Sequence, residues 1–327
     1  MALRKIPFET ILDALLDESE VFPEHYLHYF SDIQPEHLKA FLDIWPRLSE
    51  TRKRGLLEDL QDLAEADTLL SFDDLARALL DDDDPQVRAQ AIRLLWTCDD
   101  PKLVPTFIRL LQQDDPTFSP AAATALGLFV YLGELEEIPS PLLREVEDAL
   151  LAAAHHSAHP LVQRRAVESL GFSSRPEVIP LIEAAYARQE EPDWLVSALF
   201  AMGRSYNMRW QEDVIRMFDH EHPAVRAEAI WAAGELALSD ASPLLLNSLS
   251  EENDSNVRDA TIWALSKIGG DGVRELLEEL YDQAEDEEEI AFLSDALDNL
   301  AFTESIDAFD MFTFDIPDEG DDEQETL

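Results

Sequence analysis

One frame recurs along this chain and limits what it can fold into. Take Val225 as the reference position. Ala229 follows at four residues, Ala232 at seven and Gly234 at nine, and His222-Pro223 opens the segment. The same frame fits Val87, Ala91, Leu94 and Trp96 behind Asp84-Pro85, and Phe118, Ala122, Ala125 and Gly127 behind Asp115-Pro116. It fits Val162, Ala166, Ser169 and Gly171 behind His159-Pro160, and Trp194, Ala198, Ala201 and Gly203 behind Glu191-Pro192. It fits Val257, Thr261, Ala264 and Ser266 behind Asp254-Ser255, and a degenerate copy starts near Glu287 with Ile290 and Leu297 in register. Successive reference residues lie 31, 44, 32, 31 and 32 positions apart. A fixed period of this length marks stacked supersecondary units.

Each copy has a mechanical reading. Proline in the first helical turn loses no hydrogen bond, because that N–H has no partner there. An acidic residue before it can cap the helix. With 100° per residue, offsets 0, 4, 7 and 8 share one face, the core stripe of an amphipathic helix. Small residues at offsets 4 and 7 admit a close partner. That partner is the apolar segment preceding each copy, such as Phe72–Leu80, Leu103–Leu111, Val178–Tyr186 and Val273–Leu280. A hairpin this small cannot bury its apolar face alone, so neighbours must stack. The spacing of 44 predicts an insertion around Tyr131–Pro141, followed by a long helix over Leu142–Ala154.

The segments Asp84-Pro85-Gln86-Val87-Arg88 and His222-Pro223-Ala224-Val225-Arg226 carry a known signature. They resemble HEAT repeats, specifically the short HEAT-like type named after phycobilisome lyases, over roughly residues 68–300. The resemblance implies an all-α fold, an α-solenoid or superhelix of stacked hairpins. It also implies that arginines at offset one (Arg88, Arg226, Arg258) pair with acids in the neighbouring turn, and that second helices line a concave side. It implies little about function, because one repeat architecture serves many chemistries.

Three regions are expected: a helical cap over residues 1–67, the repeat array with its closing helix over 68–302, and an acidic-aromatic, flexible tail over 303–327. The cap carries helix patterns at Phe8–Asp17, Gln34–Ile44 and Arg47–Glu65, and an aromatic patch of Phe22, His25, Tyr26, His28, Tyr29 and Phe30 expected to pack onto the first repeat. Its basic cluster Arg47, Arg52, Lys53 and Arg54 precedes Glu58, Asp59 and Asp62 and is read as a helix face neutralised by those acids.

Asp and Glu number 70 against 24 Lys and Arg, a formal charge of −46. Such a surface repels phosphate backbones, so neither nucleic acid nor an anionic membrane is an expected partner. Any partner it selects by charge is basic. The one cysteine, Cys98, sits in helical core register and allows no intramolecular disulfide, which suits a reducing cytoplasm. The N-terminus shows no signal-peptide pattern and no 18-residue apolar run exists, so a cytoplasmic location is expected.

Candidate chemistry is sparse. Asp81–Asp84 lacks the spaced ligands and turn glycine of a calcium loop and reads as an acidic helix cap. His155 and His159 could share a helix face, but Pro160 follows and no third ligand is identifiable. No catalytic set, cofactor or metal site is expected. Offset six points away from the core stripe and holds Phe200, Trp231 and Trp263 in three successive copies. Stacking would line them up, either as a partner-binding ridge or as packing between repeats. Arg204, Glu235 and Lys267, at offset ten, would frame that ridge. The expected function is a non-catalytic scaffold or adaptor binding a protein or peptide on its concave face. The alternative is a bilin lyase-like enzyme or an enzyme-maturation accessory.

Overall fold

The dipeptides that open the frame do become helix starts. Asp84 accepts from the Gln86 N–H at 2.9 Å and Pro85 occupies the first turn; Asp254 accepts from the Val257 N–H at 3.2 Å. Pro160, Pro192 and Pro223 start their helices in the same way, without a side-chain cap. One copy departs. Asp115 accepts from the Thr117 N–H at 2.8 Å, which holds Pro116 in a turn, and the helix begins at Ser119.

The computed structural model describes residues 6–313, and among these all regular structure is helical. The fold is all-α, of the α-solenoid class. Its contacts divide the chain into two units, residues 1–184 and 185–327. In the first unit α1 (Phe8–Leu16), α2 (Pro35–Ile44) and α3 (Glu50–Ala66) precede three hairpins. These pair α4 (Asp73–Leu79) with α5 (Pro85–Leu94), α6 (Val104–Gln112) with α7 (Ser119–Glu134), and α8 (Ser140–His156) with α9 (Pro160–Leu170). The division falls inside α10 (Val178–Tyr186). The second unit holds α11 (Pro192–Arg204), then α12 (Gln211–Arg216) with α13 (Pro223–Glu235), α14 (Ser242–Ser248) with α15 (Ser255–Ile268), and α16 (Val273–Gln283) with α17 (Glu287–Thr313).

All six reference residues, Val87, Phe118, Val162, Trp194, Val225 and Val257, are buried, as is every residue at offsets four and seven. Each buried valine, leucine or phenylalanine among them contributes roughly 1.5–3 kcal/mol by leaving water. The small residues serve a neighbour that the pattern did not single out. Second helices pack against the second helices of the next hairpin: α5 on α7 and α7 on α9 in the first unit, α11 on α13 and α13 on α15 in the second. Their seam joins offset nine of one helix to offset seven of the next. A Cβ at Gly127 would lie 2.8 Å from the Ser169 Oγ, one at Gly203 3.0 Å from the Ala232 Cα, and one at Gly234 3.1 Å from the Ala264 Cα. The Ser169 hydroxyl uses that closeness to donate to the Ala123 carbonyl at 2.9 Å. Trp96 stands where the other copies have a small residue, and it is 56% exposed.

Of the three arginines at offset one, Arg226 meets an acid as the resemblance implied, whereas Arg88 and Arg258 contact a ring and a backbone carbonyl. Arg226 donates through Nε and Nη2 to the two oxygens of Glu252, both at 3.0 Å. Arg88 lies 4.2 Å over the Phe118 ring, and Arg258 donates to the Leu249 carbonyl at 3.2 Å.

The cap requires corrections. Of its aromatic patch, Phe22 and Phe30 are buried within the cap, where Phe30 meets Phe8, Phe22 and Phe41, and Phe41 meets Trp45, while His25 and His28 are exposed. The basic cluster makes its closest bonds away from Glu58, Asp59 and Asp62, although Arg54 also pairs with Glu50 of its own helix at 3.3 Å. Arg52 donates to the Asp17 and Glu20 carbonyls at 2.8 and 2.7 Å, and Arg54 bonds Asp84 at 2.7 Å. Lys53 lies 5.2 Å from the Trp45 ring centroid and 4.0 Å from Asp82, whose carboxylate also accepts from the Trp45 indole at 2.6 Å. Cys98 lies in the turn after α5, not in a helix; burial pushes its thiol up, and Arg77 donates to its sulfur at 3.0 Å. The expected change of structure at residue 303 does not occur there, because α17 continues to Thr313. The rest of the expected flexible tail, residues 314–327, lies outside the described residues.

The glycine seam makes a stability prediction. Overpacking costs about 1–3 kcal/mol, so Gly234→Ala is expected to lower the free energy of urea unfolding by that amount. Gly55, inside α3 with open space around it, is its control: Gly55→Ala is expected to raise stability by about 0.5–1 kcal/mol. The Arg226–Glu252 tie makes a second prediction. Burial raises the Glu252 carboxyl, but the Arg226 donors and the Asp254 and Asn253 amides outweigh it and hold the group below its ordinary 4.5. A folded value below the unfolded one gives stability that is complete above about pH 4.5 and is lost as pH falls through the folded value. Glu252→Gln should therefore cost about 1–3 kcal/mol at neutral pH and flatten the acid limb of a stability-versus-pH curve.

Candidate interaction surface

The predicted site residues fall on three consecutive second helices of the second unit. Phe200 and Arg204 lie on α11, Trp231 and Glu235 on α13, Trp263 and Lys267 on α15. All three rings are half-buried. Offset six is turned from the core stripe but lies close to the seam, so each ring has one side against protein and one edge in water.

Trp231 and Trp263 meet directly, with ring centroids 4.1 Å apart and planes at 45°. Such pairs add about 0.5–1.5 kcal/mol beyond the area they bury. The Trp263 indole also lies over the backbone of Gly234, where a Cβ would come within 2.4 Å of its Cζ3. The glycine that lets α13 and α15 approach thus also makes room for the tryptophan. The third ring is placed differently: the Arg204 guanidinium covers Phe200, Cζ at 4.0 Å from the centroid.

The frame residues alternate in sign. Arg204 and Lys267 flank Glu235, whose Cβ lies beside Gly203. The Lys267 ammonium sits 5.5 Å from the Trp263 centroid. Both cations therefore lie over aromatic faces, where the ring quadrupole holds them for roughly 0.5–1 kcal/mol. The result is a strip of half-buried rings and alternating charge along adjacent helices.

The other sequence candidates resolve into structure. Asp81 ties its hairpin to the next through Arg109 at 2.7 Å, and Asp82 and Asp84 tie the same hairpin to the cap, so three of the four consecutive aspartates are structural ties. Helix α8 ends at His156 and His159 is the residue before α9, so His155 and His159 do not share a helix face. No group of three or more His, Cys, Asp or Glu arranged to hold a metal occurs among the described residues. No described helix is long and apolar enough to cross a membrane.

Two features had no counterpart in the sequence reading. The buried Glu147 takes the Ser173 hydroxyl and the nearby Arg175 guanidinium, and burial raises its carboxyl despite both. A cleft of about 470 Å³ opens in the cap between Glu18, Phe22, Arg52 and Leu56. No spacing rule could have found either, because each joins segments that only folding brings together.

If Trp231 and Trp263 stabilise one another, alanine at each and at both should show a coupling of about 0.5–1.5 kcal/mol in urea denaturation. Additive losses would mean that the rings do not support the stack.

Comparison with known proteins follows the same division as the frame. Residues 72–145 and 212–297 match the family model for HEAT repeats. The copies at Val162 and Trp194, and with them Phe200 and Arg204, lie between the matched segments. A search of curated proteins finds no match. Stacked helical hairpins, the recurring frame and the family model agree that residues 72–145 and 212–297 are built of HEAT repeats.

Proposed function

We propose that this protein is a non-catalytic scaffold that holds a protein or peptide partner on the strip formed by Phe200, Trp231 and Trp263, framed by Arg204, Glu235 and Lys267. One observation carries the reading: the same outward register holds a large ring in three successive second helices, and each ring keeps an edge in solvent. Half-buried aromatics on a rigid backbone supply contact area at little entropic cost, and such residues dominate the energetics of interfaces. Repeat arrays of this class commonly present extended binding surfaces.

The partner is a chain that lays an apolar anchor on the tryptophans and matches the alternating charges beside them. The overall charge of −46 favours a partner basic outside that contact and disfavours nucleic acid. In this reading residues 1–67 cap the array, residues 68–302 carry the surface, residues 303–327 form an acidic-aromatic extension, and the protein works in the cytoplasm. The lyase-like alternative has no observation of its own: it rests on the flavour of the repeat, and architecture does not assign chemistry.

The test is recovery of the native partner from the host, followed by affinity measurements with the purified pair. Trp231→Ala and Trp263→Ala are each expected to weaken binding by about tenfold or more. Lys267→Glu, an exposed change that leaves the stack intact, should slow association and alter its salt dependence. A partner indifferent to all three changes would remove the strip from consideration.

A further inference from the structure

Gly55 stands in the middle of α3 without a reason inside the fold. Glycine weakens a helix interior, because it gives up more backbone freedom than any other residue. Other glycines of this chain have a local cause. A Cβ at Gly127, Gly133, Gly203 or Gly234 would come to 3.0 Å or less from another residue, and Gly269, Gly270 and Gly272 adopt positive φ. Gly55 shows neither: a Cβ there would meet nothing within 4 Å.

The space beside it is the cleft in the cap, about 470 Å³ in volume. Arg52, Gly55, Leu56 and Asp59 line it from α3. At 100° per residue these four share an arc of about 100°. The segment from Glu18 to Phe22 supplies the other wall. Phe22 and Leu56 are core residues, and Val21, at 89% exposure, carries the apolar lining out into solvent.

The ionic groups of the cleft are mostly acidic. Glu18 accepts the Ser49 N–H at 2.8 Å, which holds its carboxyl below the ordinary value, so it is ionised at neutral pH. Partial burial, followed by the charges of Asp62, Glu58 and Glu24, pushes the Asp59 carboxyl up, against a smaller opposing effect of Arg52. Asp59 therefore faces more negative charge than the fold balances. Arg52 is already engaged, because its guanidinium donates to the Asp17 and Glu20 carbonyls at 2.8 and 2.7 Å.

We infer that this cleft seats a lysine or arginine side chain from an extended segment of a separate protein, with the methylene stem on Val21, Phe22 and Leu56, the main chain against Gly55 and the cation at Asp59. Shape and charge select that occupant together. An apolar lining that ends in carboxylates fits a side chain that is apolar along its length and cationic at its tip. A glycine on the wall lets a partner's main chain approach α3 more closely than any side chain there would allow. A phosphate backbone would meet Glu18 and Asp59 with like charge, and a second copy of this chain would bring another −46 to the contact. The cleft lies on none of the helices that carry the tryptophan strip, so the inference does not rest on the scaffold reading.

The probe is a rhodamine-labelled heptapeptide of alanine and leucine with one central lysine, titrated against the full chain and followed by anisotropy. Salt of about 0.15 M screens diffuse attraction to the acidic surface. The wild-type chain should bind this peptide about tenfold or more tighter than the same peptide with norleucine in place of lysine. Asp59→Asn should remove that preference. Gly55→Leu fills the cleft at constant charge and should abolish binding. Gly55→Ala should weaken it while raising stability to urea, so that lost binding is separated from lost structure. Glu285→Gln, which removes an exposed acid of the second unit, should change nothing, and neither should Trp231→Ala with Trp263→Ala.

No binding by the wild type, equal affinity for the two peptides, or full affinity in Asp59→Asn and Gly55→Leu each overturns the proposal. Equal weakening by Glu285→Gln would mean diffuse attraction by charge and overturns it as well. Loss of binding in the tryptophan variant would move the peptide to the strip, overturning this inference while supporting the scaffold reading. A wild-type dimer in sedimentation equilibrium that Gly55→Leu dissociates would make the occupant a second copy, which also overturns it.

Discussion

The close approach of successive second helices is the constraint on which the rest depends. Stacked hairpins this small are stable only if each buries its apolar stripe against the next. Here the seam is set by hydrogen atoms standing where side chains would otherwise begin. Gly127 faces Ser169, Gly203 faces Ala232 and Gly234 faces Ala264, each at backbone-to-backbone or near-backbone range. At that distance a serine hydroxyl reaches the neighbouring helix carbonyl, as Ser169 does to Ala123, so packing and hydrogen bonding share the same register.

The charge of the chain acquires a second meaning from this geometry. With 24 cations among 70 acids, each arginine has many candidate partners, and the fold uses several of them as ties. Arg54 reaches Asp84, Arg109 reaches Asp81, Arg77 reaches Asp100 and Arg226 reaches Glu252. The first three of these span adjacent helical elements of the first unit, and the last joins two hairpins of the second. Exposed ion pairs are individually weak. Those anchored by backbone groups as well, such as Glu252 with its neighbouring amides, are stronger because the acid is pre-positioned before the arginine arrives. The surplus acids remain in solvent and set the field that a partner meets.

The proposed binding strip is a by-product of the same seam. Trp263 seats its ring over Gly234 and against Trp231. Residues at this register are held partly by packing and partly left to solvent, so binding and stacking are not alternatives there. A ring braced by its own array is rigid, and a rigid ring loses little freedom on meeting a partner.

The sequence alone determined the hairpins, the buried stripe and the row of rings at offset six. These follow from periodicity, which acts within a few residues, and from proline and aspartate chemistry at helix starts. It did not determine which neighbour the small residues serve: the preceding segment was expected, whereas the seam joins second helix to second helix. Nor did it show that Arg52, Lys53 and Arg54 reach Asp17, Glu20, Asp82 and Asp84 in place of Glu58, Asp59 and Asp62. It placed Pro116 in a helix that begins at Ser119, and it ended the regular structure eleven residues before Thr313. Local spacing records which side of a helix is apolar. Only tertiary structure decides what that side meets, because partners distant in sequence are chosen by distance and burial after the helices have docked.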